Sequence, residues 1–181
     1  MRKLKSLESP LLFTGTLYSN REIFDQARDL LKKEFGEILL VSPPSPWDYS
    51  PYYKNELGSP VLRQFIFFKT IIDPGTLADM KIKTIEIEHA LSSDGRRKIN
   101  LDPGYLTLAK IVLASTKNYS HRIYLGKGIY AELTLLYRSR TDTYTPHLFT
   151  YTDYQEEQNI DLFLKVRTML KEMLSEKQPP L

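Results

Sequence analysis

Residues 100–137 carry the pattern on which the fold prediction depends. They read N-L-D-P-G-Y-L (100–106), K-N-Y-S-H-R-I-Y-L (117–125), G-K-G (126–128) and I-Y-A-E-L-T-L-L-Y (129–137). The alternation of apolar and polar residues at 121–125 and 129–137 is typical of two antiparallel strands joined by a three-residue turn. Polar residues hold fixed places among the apolar ones, so we expect most of any functional site to lie here.

Upstream of this stretch the chain predicts alternating strands and helices. Strands are expected at residues 11–18, 37–41, 61–72 and 98–101. Ser19 and Glu22 have the spacing of a capping box and predict a helix that ends near Gly36. Asp73-Pro74 supplies an N-cap and a preset first helical position for a second helix that reaches about Leu91.

Asp102-Pro103 repeats this signature of a cap followed by proline, and it predicts a further helix at residues 105–114. A last strand is expected near residues 148–151. An amphipathic helix that begins near Asn159 closes the chain. Together these elements predict the fold.

Residues 42–60 contain five prolines and four aromatic residues, which indicates an ordered loop without regular structure in most of its length. Long ordered loops are often functional. A crossover that aromatic residues pin over a sheet edge explains the same composition, and both readings stay open.

The expected fold is a single α+β domain over residues 1–181, with a flexible arm at 1–9 and a tail at 175–181. Its sheet is mainly antiparallel, with five or six strands and three or four helices on one face. The β-α-β-β-α-β order up to Leu101 is compatible with a ferredoxin-like core to which a hairpin is added.

Composition excludes several classes of protein. The chain has a net charge of +3 and 41% hydrophobic residues, values of a globular protein without the concentrated charge of most nucleic-acid binders. It has no cysteine, which excludes disulfides, thiolate catalysis and cysteine-based zinc sites. No signal peptide or membrane span is recognisable, and we expect a cytoplasmic protein.

Three side chains could act as catalytic acid, base or carboxylate: Asp102, Glu132 and His121. By residue type Asp102 is first explained as a helix cap, a role that is compatible with a functional one. Glu132 is either an exposed strand residue or a carboxylate that faces a cleft. On a strand, His121 and Arg122 would point to opposite faces, so at most one could line a pocket with Lys117.

Basic, amide and aromatic residues provide candidates for ligand binding. Lysine and arginine together can hold a phosphate, and tyrosine can stack on a ring. The candidates are Lys117, Arg122, Arg63, Tyr52, Tyr53 and Asn100. A Mg²⁺ site could be built from Asp102, Glu132 and Glu56, since Mg²⁺ uses carboxylate oxygens.

Several known signatures are absent. Gly126-Lys127-Gly128 lacks the spacing and the hydroxyl residue of a phosphate loop. Thr116-Lys117-Asn118 is similar to the guanine-reading element of GTPases, but Tyr119 stands where that element has aspartate. The dinucleotide-binding glycine pattern, the zinc-protease helix motif and the nucleophile elbow do not occur.

The motifs quoted above, with L-F-T-G-T-L-Y (12–18), Y-Y-K-N-E-L-G (52–58) and T-Y-T-D-Y (150–154), resemble a small prokaryotic family catalogued as domain of unknown function four-four-one-six. The resemblance covers nearly the whole chain and implies no established activity. Some relatives bear the label GTP-binding protein. The family pattern falls on Tyr52, Tyr53, Glu56, Gly58, Arg63, Lys81, Glu86, Asn100, Asp102, Gly104, Tyr105, Lys117, His121, Arg122, Tyr124, Glu132, Asp153 and Tyr154.

Three functional hypotheses follow. The first is a pocket for a phosphorylated small molecule, in particular a nucleotide, with or without Mg²⁺-dependent chemistry. The second is an RNA- or DNA-binding module that stacks bases on Tyr124 and Tyr130. The third is a structural or partner-binding protein whose tyrosines form an interface. The first requires that the basic, acidic and aromatic candidates lie around one pocket.

Overall fold

The computed structural model describes residues 9–176. Residues 1–8 of the expected arm and 177–181 of the expected tail lie outside this range, while residues 175 and 176 belong to the last helix. Four α-helices occur in the described chain: α1 (Arg21–Phe35), α2 (Pro51–Leu57), α3 (Leu77–Ala90) and α4 (Glu157–Glu176). Short 3₁₀ turns at Pro74–Thr76 and Thr152–Gln155 precede α3 and α4.

One antiparallel sheet of nine strands runs through the described part of the molecule. The strands are β1 (Leu11–Tyr18), β2 (Ile38–Val41), β3 (Ser45–Pro46), β4 (Leu62–Ile71), β5 (Ile99–Leu106), β6 (Lys110–Ser115), β7 (Ile123–Gly126), β8 (Ile129–Arg138) and β9 (Thr143–Pro146). Their order is β2-β4-β1-β5-β6-β8-β7, with β3 paired to β4 and β9 paired to β8. The α+β class and the single domain are confirmed, and the sheet is larger than expected.

The first half of the sheet has a ferredoxin-like arrangement. Its elements follow the order β1-α1-β2-β4-α3-β5, and its strands lie side by side as β2-β4-β1-β5. The short strand β3 and helix α2 are inserted between β2 and β4. Strands β6 to β9 extend this core beyond β5, so the sequence prediction of a core with an added hairpin holds with more strands added.

Helices cover both faces of the sheet, whereas the sequence analysis placed them on one. Phe24, Leu31 and Ile87 of α1 and α3 pack with Leu12 of β1 in one buried cluster. Phe163, Val166 and Leu170 of α4 pack with Leu11, Phe13 and Phe65 in another. Because neighbouring residues of a strand point to opposite faces, the continuous apolar run at residues 11–13 meant a strand buried on both sides.

The expected helix at residues 105–114 is wrong, because N-L-D-P-G-Y-L forms strand β5 and the chain returns as β6. The amide and carbonyl of Leu101 point away from β1 to side chains of α3. Residues two apart point the same way, so the missing N–H of Pro103 costs no ladder hydrogen bond. A Cβ on Gly104 would lie 2.6 Å from the Val112 carbonyl oxygen, so glycine allows β6 to approach.

Three local predictions also need correction. Asn20, not Ser19, caps α1, since its side chain accepts hydrogen bonds from the amides of Glu22 and Ile23. The last strand pairs at Thr143–Pro146 instead of residues 148–151, which lie in a loop and a turn. The proline-rich segment 42–60 contains β3 and the short helix α2, which Ser50 caps. Within residues 9–176 no helix is long and apolar enough to cross a bilayer.

Candidate functional site

The sheet splits open between β5 and β6, and a cavity lies in the split. The two strands pair only from Gly104 to Leu106, opposite Ile111 to Leu113. Residues 99–103 of β5 pair only with β1, while Ala114 and Ser115 of β6 pair only with β8. The cavity has a volume of about 330 Å³ and is lined from β5, β6 and β8 together with α2, α3 and the 151–154 turn.

The cavity gathers almost all of the residues that the sequence analysis selected. The predicted site residues that line it are Asp102, Glu132, Lys117, Arg122, Arg63, Tyr52, Tyr53, Asn100 and Glu56. His121 does not line the cavity, although it contacts Glu132 behind the wall. These residues come from five separate segments of the chain, so their convergence is a property of the fold.

The cavity lining is rich in charged residues, and its basic and acidic residues are equal in number. Its basic members are Arg63, Lys81, Arg97, Lys117 and Arg122, and its acidic members are Glu56, Glu88, Asp102, Glu132 and Asp153. Four of the five cations form ion pairs with these carboxylates. The ammonium group of Lys117, an exposed residue, has no partner among residues 9–176.

Asp102 lies at the centre of the lining. One carboxylate oxygen accepts from the ammonium of Lys81 at 3.1 Å and the other accepts from the Asn100 amide at 2.6 Å. Burial alone would raise the pKa of Asp102, but the positive charges of Lys81 and Arg63 hold the pKa below its usual value. Its side chain is still 31% exposed. An ionised, accessible carboxylate with this pKa is a hydrogen-bond acceptor more than a general base.

Helix α3 replaces the missing strand beside β5. Lys81 donates to the Leu101 carbonyl at 2.7 Å, and Glu88 accepts from the Leu101 amide at 2.6 Å. Burial raises the pKa of Glu88. Because Lys81 and Glu88 are seven residues apart, they project from the same face of the helix. They satisfy the backbone that β6 leaves unpaired and so hold the split open.

Arg97 closes this wall of the cavity. Its guanidinium makes two parallel bonds to Glu56, at 2.9 and 2.6 Å, and also reaches Glu88 and Asn100. Bidentate pairing of this kind fixes both orientation and distance. Glu56, which was proposed as a metal ligand, is therefore held by arginine.

Arg122 and Glu132 form a buried ion pair on the opposite wall, each side chain 1% exposed. Nε and Nη2 of Arg122 both donate to Oε2 of Glu132, at 2.8 and 2.5 Å. The remaining three N–H groups bond the Ser115 hydroxyl, the Lys117 carbonyl and the Tyr151 hydroxyl. Arg122 has used its five donors, so its role is to position the 115–117 segment and Tyr151.

His121 and Arg122 both reach Glu132, which corrects the expectation that they point to opposite faces. They lie in the turn before β7, not within a strand, so strand alternation does not apply. His121 lies 3.3 Å from Oε2 of Glu132, and its ring stacks on Phe149 at 4.3 Å. Glu132 is thus a buried residue of the site, which decides between the two readings of the sequence.

Arg63 lies on the floor of the cavity on β4 and is 5% exposed. Nη2 pairs with Asp153 at 2.6 Å, and the same carboxylate oxygen accepts from the Trp47 indole. The guanidinium also lies over the rings of Phe65 and Tyr154. A Cβ on Gly15 would come within 2.9 Å of the Tyr154 hydroxyl and 3.0 Å of Nη1, so this glycine makes room for both groups.

Polar atoms without a partner concentrate around this cavity. Of the five buried side-chain atoms that lack a hydrogen bond in the described chain, four belong to its lining: Arg63 Nε and Nη1, Glu132 Oε1 and the Tyr154 hydroxyl. Buried polar groups are normally paired. Both donors and an acceptor in the lining are therefore left unsatisfied within the described chain.

An aromatic wall completes the site. Trp47 and Tyr53 contact edge to face at 5.2 Å, and Tyr53 contacts Tyr52 in the same way. Trp47 and Tyr53 are largely covered, whereas Tyr52 is 56% exposed. The proline-rich segment is therefore both an ordered crossover and a wall of the cavity, so the two readings of its composition are compatible.

The three carboxylates predicted as Mg²⁺ ligands, those of Asp102, Glu132 and Glu56, do not form a metal site. Within residues 9–176 no three histidine, aspartate or glutamate side chains come together as a metal site. Asp102 pairs with Lys81, Glu132 with Arg122 and Glu56 with Arg97, so each carboxylate is neutralised by a different basic residue.

Some functional candidates were missed. Trp47, Glu88 and Arg97 line the cavity but were not selected, and Asp153 and Tyr154 entered only through the family resemblance. A signal existed in α3, where Lys81 and Glu88 lie seven residues apart on the buried face of the helix, together with Leu77 and Thr84. Arg97 follows a turn, and nothing in the sequence around it indicated that it would line a site.

Comparison with known proteins identifies a family but no function. Residues 8–170 match the family described as Domain of unknown function (DUF4416). The chain therefore belongs to this family, as the motifs suggested. No curated protein and no solved structure matches the chain.

Proposed function

We propose that this member of the DUF4416 family binds a phosphorylated small molecule, with a nucleotide as the leading candidate, in the cavity between β5 and β6. One observation carries the proposal. Nine candidates chosen for phosphate, carboxylate and ring chemistry line a single 330 Å³ cavity, and two guanidinium nitrogens of Arg63 there, Nε and Nη1, have no hydrogen-bond partner in the described chain. That volume is at the small end of the range of about 300–1,000 Å³ for ligand pockets.

Arg63 and Lys117 are the groups best suited to hold the phosphate. Arg63 is buried beside the cavity with unused donors, and Lys117 is exposed at its edge with a free ammonium group. Charge-assisted hydrogen bonds to phosphate are about twice as strong as neutral ones. Arg122, which was a candidate for the same role, instead holds this wall in place.

The aromatic wall suits the remainder of a nucleotide. Tyr52 presents an exposed ring next to Tyr53 and Trp47, and a base could stack there. Asp102 supplies an accessible carboxylate for hydrogen-bond donors of the ligand, and the covered Glu132 holds Arg122 behind it.

Thermal unfolding in the presence of nucleotides, sugar phosphates and a short RNA, each with and without Mg²⁺, tests the proposal. A ligand at 100 times its Kd adds about 2.7 kcal/mol, which raises the Tm by several degrees. Lys117→Ala should reduce the affinity about tenfold, because it removes one charge-assisted contact. Lys69→Ala is the matched control, since Lys69 is an exposed lysine paired with Glu37 outside the lining.

A nucleic-acid module remains a second candidate because of one contact. The rings of Tyr124 and Tyr130 lie 5.2 Å apart on β7 and β8, and Tyr124 is 60% exposed. The neighbouring Lys127 is already paired with Asp79. A Tm shift with RNA alone, lost in Tyr124→Ala but kept in Lys117→Ala, would favour this alternative and contradict the cavity.

A further inference from the structure

We propose that Asp102 selects the ligand of this cavity by accepting hydrogen bonds from its non-phosphate part, so that the ligand is a monophosphate of a hydroxyl-rich or amide-rich body and not a triphosphate. A nucleoside monophosphate or a sugar monophosphate has this chemistry. The inference rests on the proposed function, because it assumes that a phosphorylated molecule occupies the cavity.

The charge balance of the lining limits the charge of the ligand. Five basic and five acidic side chains surround the space. Ion pairs already use four of the basic ones, which leaves the spare donors of Arg63 and the ammonium of Lys117. One phosphate can be matched by two such groups. Three phosphates would place several uncompensated negative charges beside five carboxylates, and uncompensated buried charge is costly.

Asp102 restricts the rest of the ligand. Its two oxygens each accept one bond from the protein, from Lys81 and Asn100, and a carboxylate oxygen can accept more than one. The side chain is 31% exposed, and the negative charge of Asp102 acts on three tyrosines around the cavity, Tyr53, Tyr151 and Tyr154. A negatively charged acceptor in this central place repels phosphate and attracts hydroxyl or N–H groups.

Glu132 is a second carboxylate of the lining with an unused oxygen, but it is covered where Asp102 is accessible. Both donors that Arg122 directs at this carboxylate reach Oε2, so Oε1 is left without a bond in the described chain, although the residue is 1% exposed. A ribose diol and the edge of a base both provide donors for the accessible carboxylate of Asp102.

Calorimetric titration of the unmodified protein tests the inference without any variant. The probes are inorganic phosphate, methyl phosphate, ribose 5-phosphate, AMP, GMP, ATP and GTP, the last two also with Mg²⁺. We expect at least one of ribose 5-phosphate, AMP and GMP to bind tenfold or more tightly than methyl phosphate, which has no donors in its body. We also expect both triphosphates to bind more weakly than their monophosphates.

Asp102→Asn gives a test with opposite signs. If Asp102 accepts hydrogen bonds from the non-phosphate part of the ligand, the variant should lose most of the difference in affinity between the organic monophosphate and methyl phosphate. The affinity for methyl phosphate itself should stay the same or increase. If Asp102 only repels anions, the variant binds every probe more tightly, and the inference is overturned. Asp29→Asn, an exposed position on α1, is the control. Circular dichroism establishes that each variant is folded.

The outcomes separate the two proposals. Tighter binding of GTP or ATP than of every monophosphate overturns the selection by Asp102 and leaves the proposed function standing. Equal affinity for methyl phosphate and all organic monophosphates also overturns the selection by Asp102 and leaves the proposed function standing. No binding of any phosphorylated probe overturns both.

Discussion

At the scale of single residues, Glu132 connects the stability of the site with its chemistry. Glu132 is a charged residue in the middle of a strand. Its carboxylate is almost completely covered, as is the side chain of Arg122. Burying two charges is favourable only when each satisfies the other and the remaining donors find partners. The Ser115, Lys117 and Tyr151 contacts of Arg122 meet this condition, so the pair ties β8 to the loops around the cavity.

Glu132→Gln should therefore destabilise the protein strongly. The change leaves the Arg122 charge buried without a counter-ion, which costs about 3–5 kcal/mol. For a chain of this size the Tm should fall by roughly 6–20 °C in a calorimetric scan. Glu172→Gln, at an exposed position on α4, should change the Tm little. A loss below about 1 kcal/mol would show that the pair contributes little.

Asp102 gives a prediction about pH. The charges of Lys81 and Arg63 lower its pKa in the folded protein against the opposing effect of burial, while the unfolded chain has a value of about 3.9. The stability that Asp102 contributes is thus present above the unfolded pKa and is lost as the pH falls through the folded pKa. Urea unfolding should show Asp102→Asn less stable than the natural chain at pH 7, with a smaller difference at pH 3. A difference that grows at pH 3 would contradict the sign.

At the scale of elements, β5 and β6 determine where the site lies. Gly104 lets the two strands meet at one end, and α3 takes over beside Leu101 at the other. The sequence analysis read Asp102-Pro103 as a helix start because the local pattern is the same. The tertiary structure decided otherwise, because the proline lies where β5 pairs with β1 on one side and has no strand partner on the other. Periodicity does not contain that information.

Gly104→Ala should disturb this junction. The added Cβ would meet the Val112 carbonyl at 2.6 Å and the Phe13 ring at 2.8 Å, and backbone cannot yield as a side-chain end can. A loss of about 3 kcal/mol in the free energy of unfolding is expected, at the upper end of overpacking costs. Gly75→Ala is the control, because its nearest neighbour is the Asp73 side chain at 3.2 Å. Equal stability of the two variants would contradict the close approach of β6.

Glu88→Ala should loosen the split without affecting the rest of the sheet. It removes the acceptor of the Leu101 amide, and an unsatisfied buried donor costs about 1–3 kcal/mol. Amide hydrogen exchange should become at least tenfold faster at Leu101 than in the natural chain. Glu86→Ala, on the exposed side of the same helix, should leave that rate unchanged. An unchanged Leu101 rate in Glu88→Ala would exclude α3 as the substitute for a strand.

At the scale of the whole molecule, the topology explains the convergence of the site. Tyr52 and Glu56 lie on α2, Arg63 on β4, Asp102 on β5, and Arg122 follows β6. The sequence alone could predict the strands and helices with clear periodicity, including α1 and α4, and could select polar residues in apolar surroundings. The apolar residues on both faces of β1 indicate that both faces are covered, but they do not indicate that α4 is the element that covers the second face.

The roles of the selected residues depend on partners that sequence does not show. Arg122 was a candidate phosphate ligand by residue type, yet its donors are all used within the protein. Arg63 looked like one charge in a buried strand and proved to have donors to spare. Such differences arise from pairing between distant segments, for which neither spacing nor composition gives a signal.

The central claim is that a phosphorylated small molecule binds between β5 and β6. A titration of the ¹⁵N-labelled protein with AMP, GMP and ribose 5-phosphate, followed by amide chemical shifts, tests it most directly. The account predicts saturable shifts for at least one compound, largest at Arg63, Asp102 and Lys117 and reduced in Lys117→Ala. No shift at millimolar concentrations, or shifts confined to residues 123–131 away from these three, would contradict it.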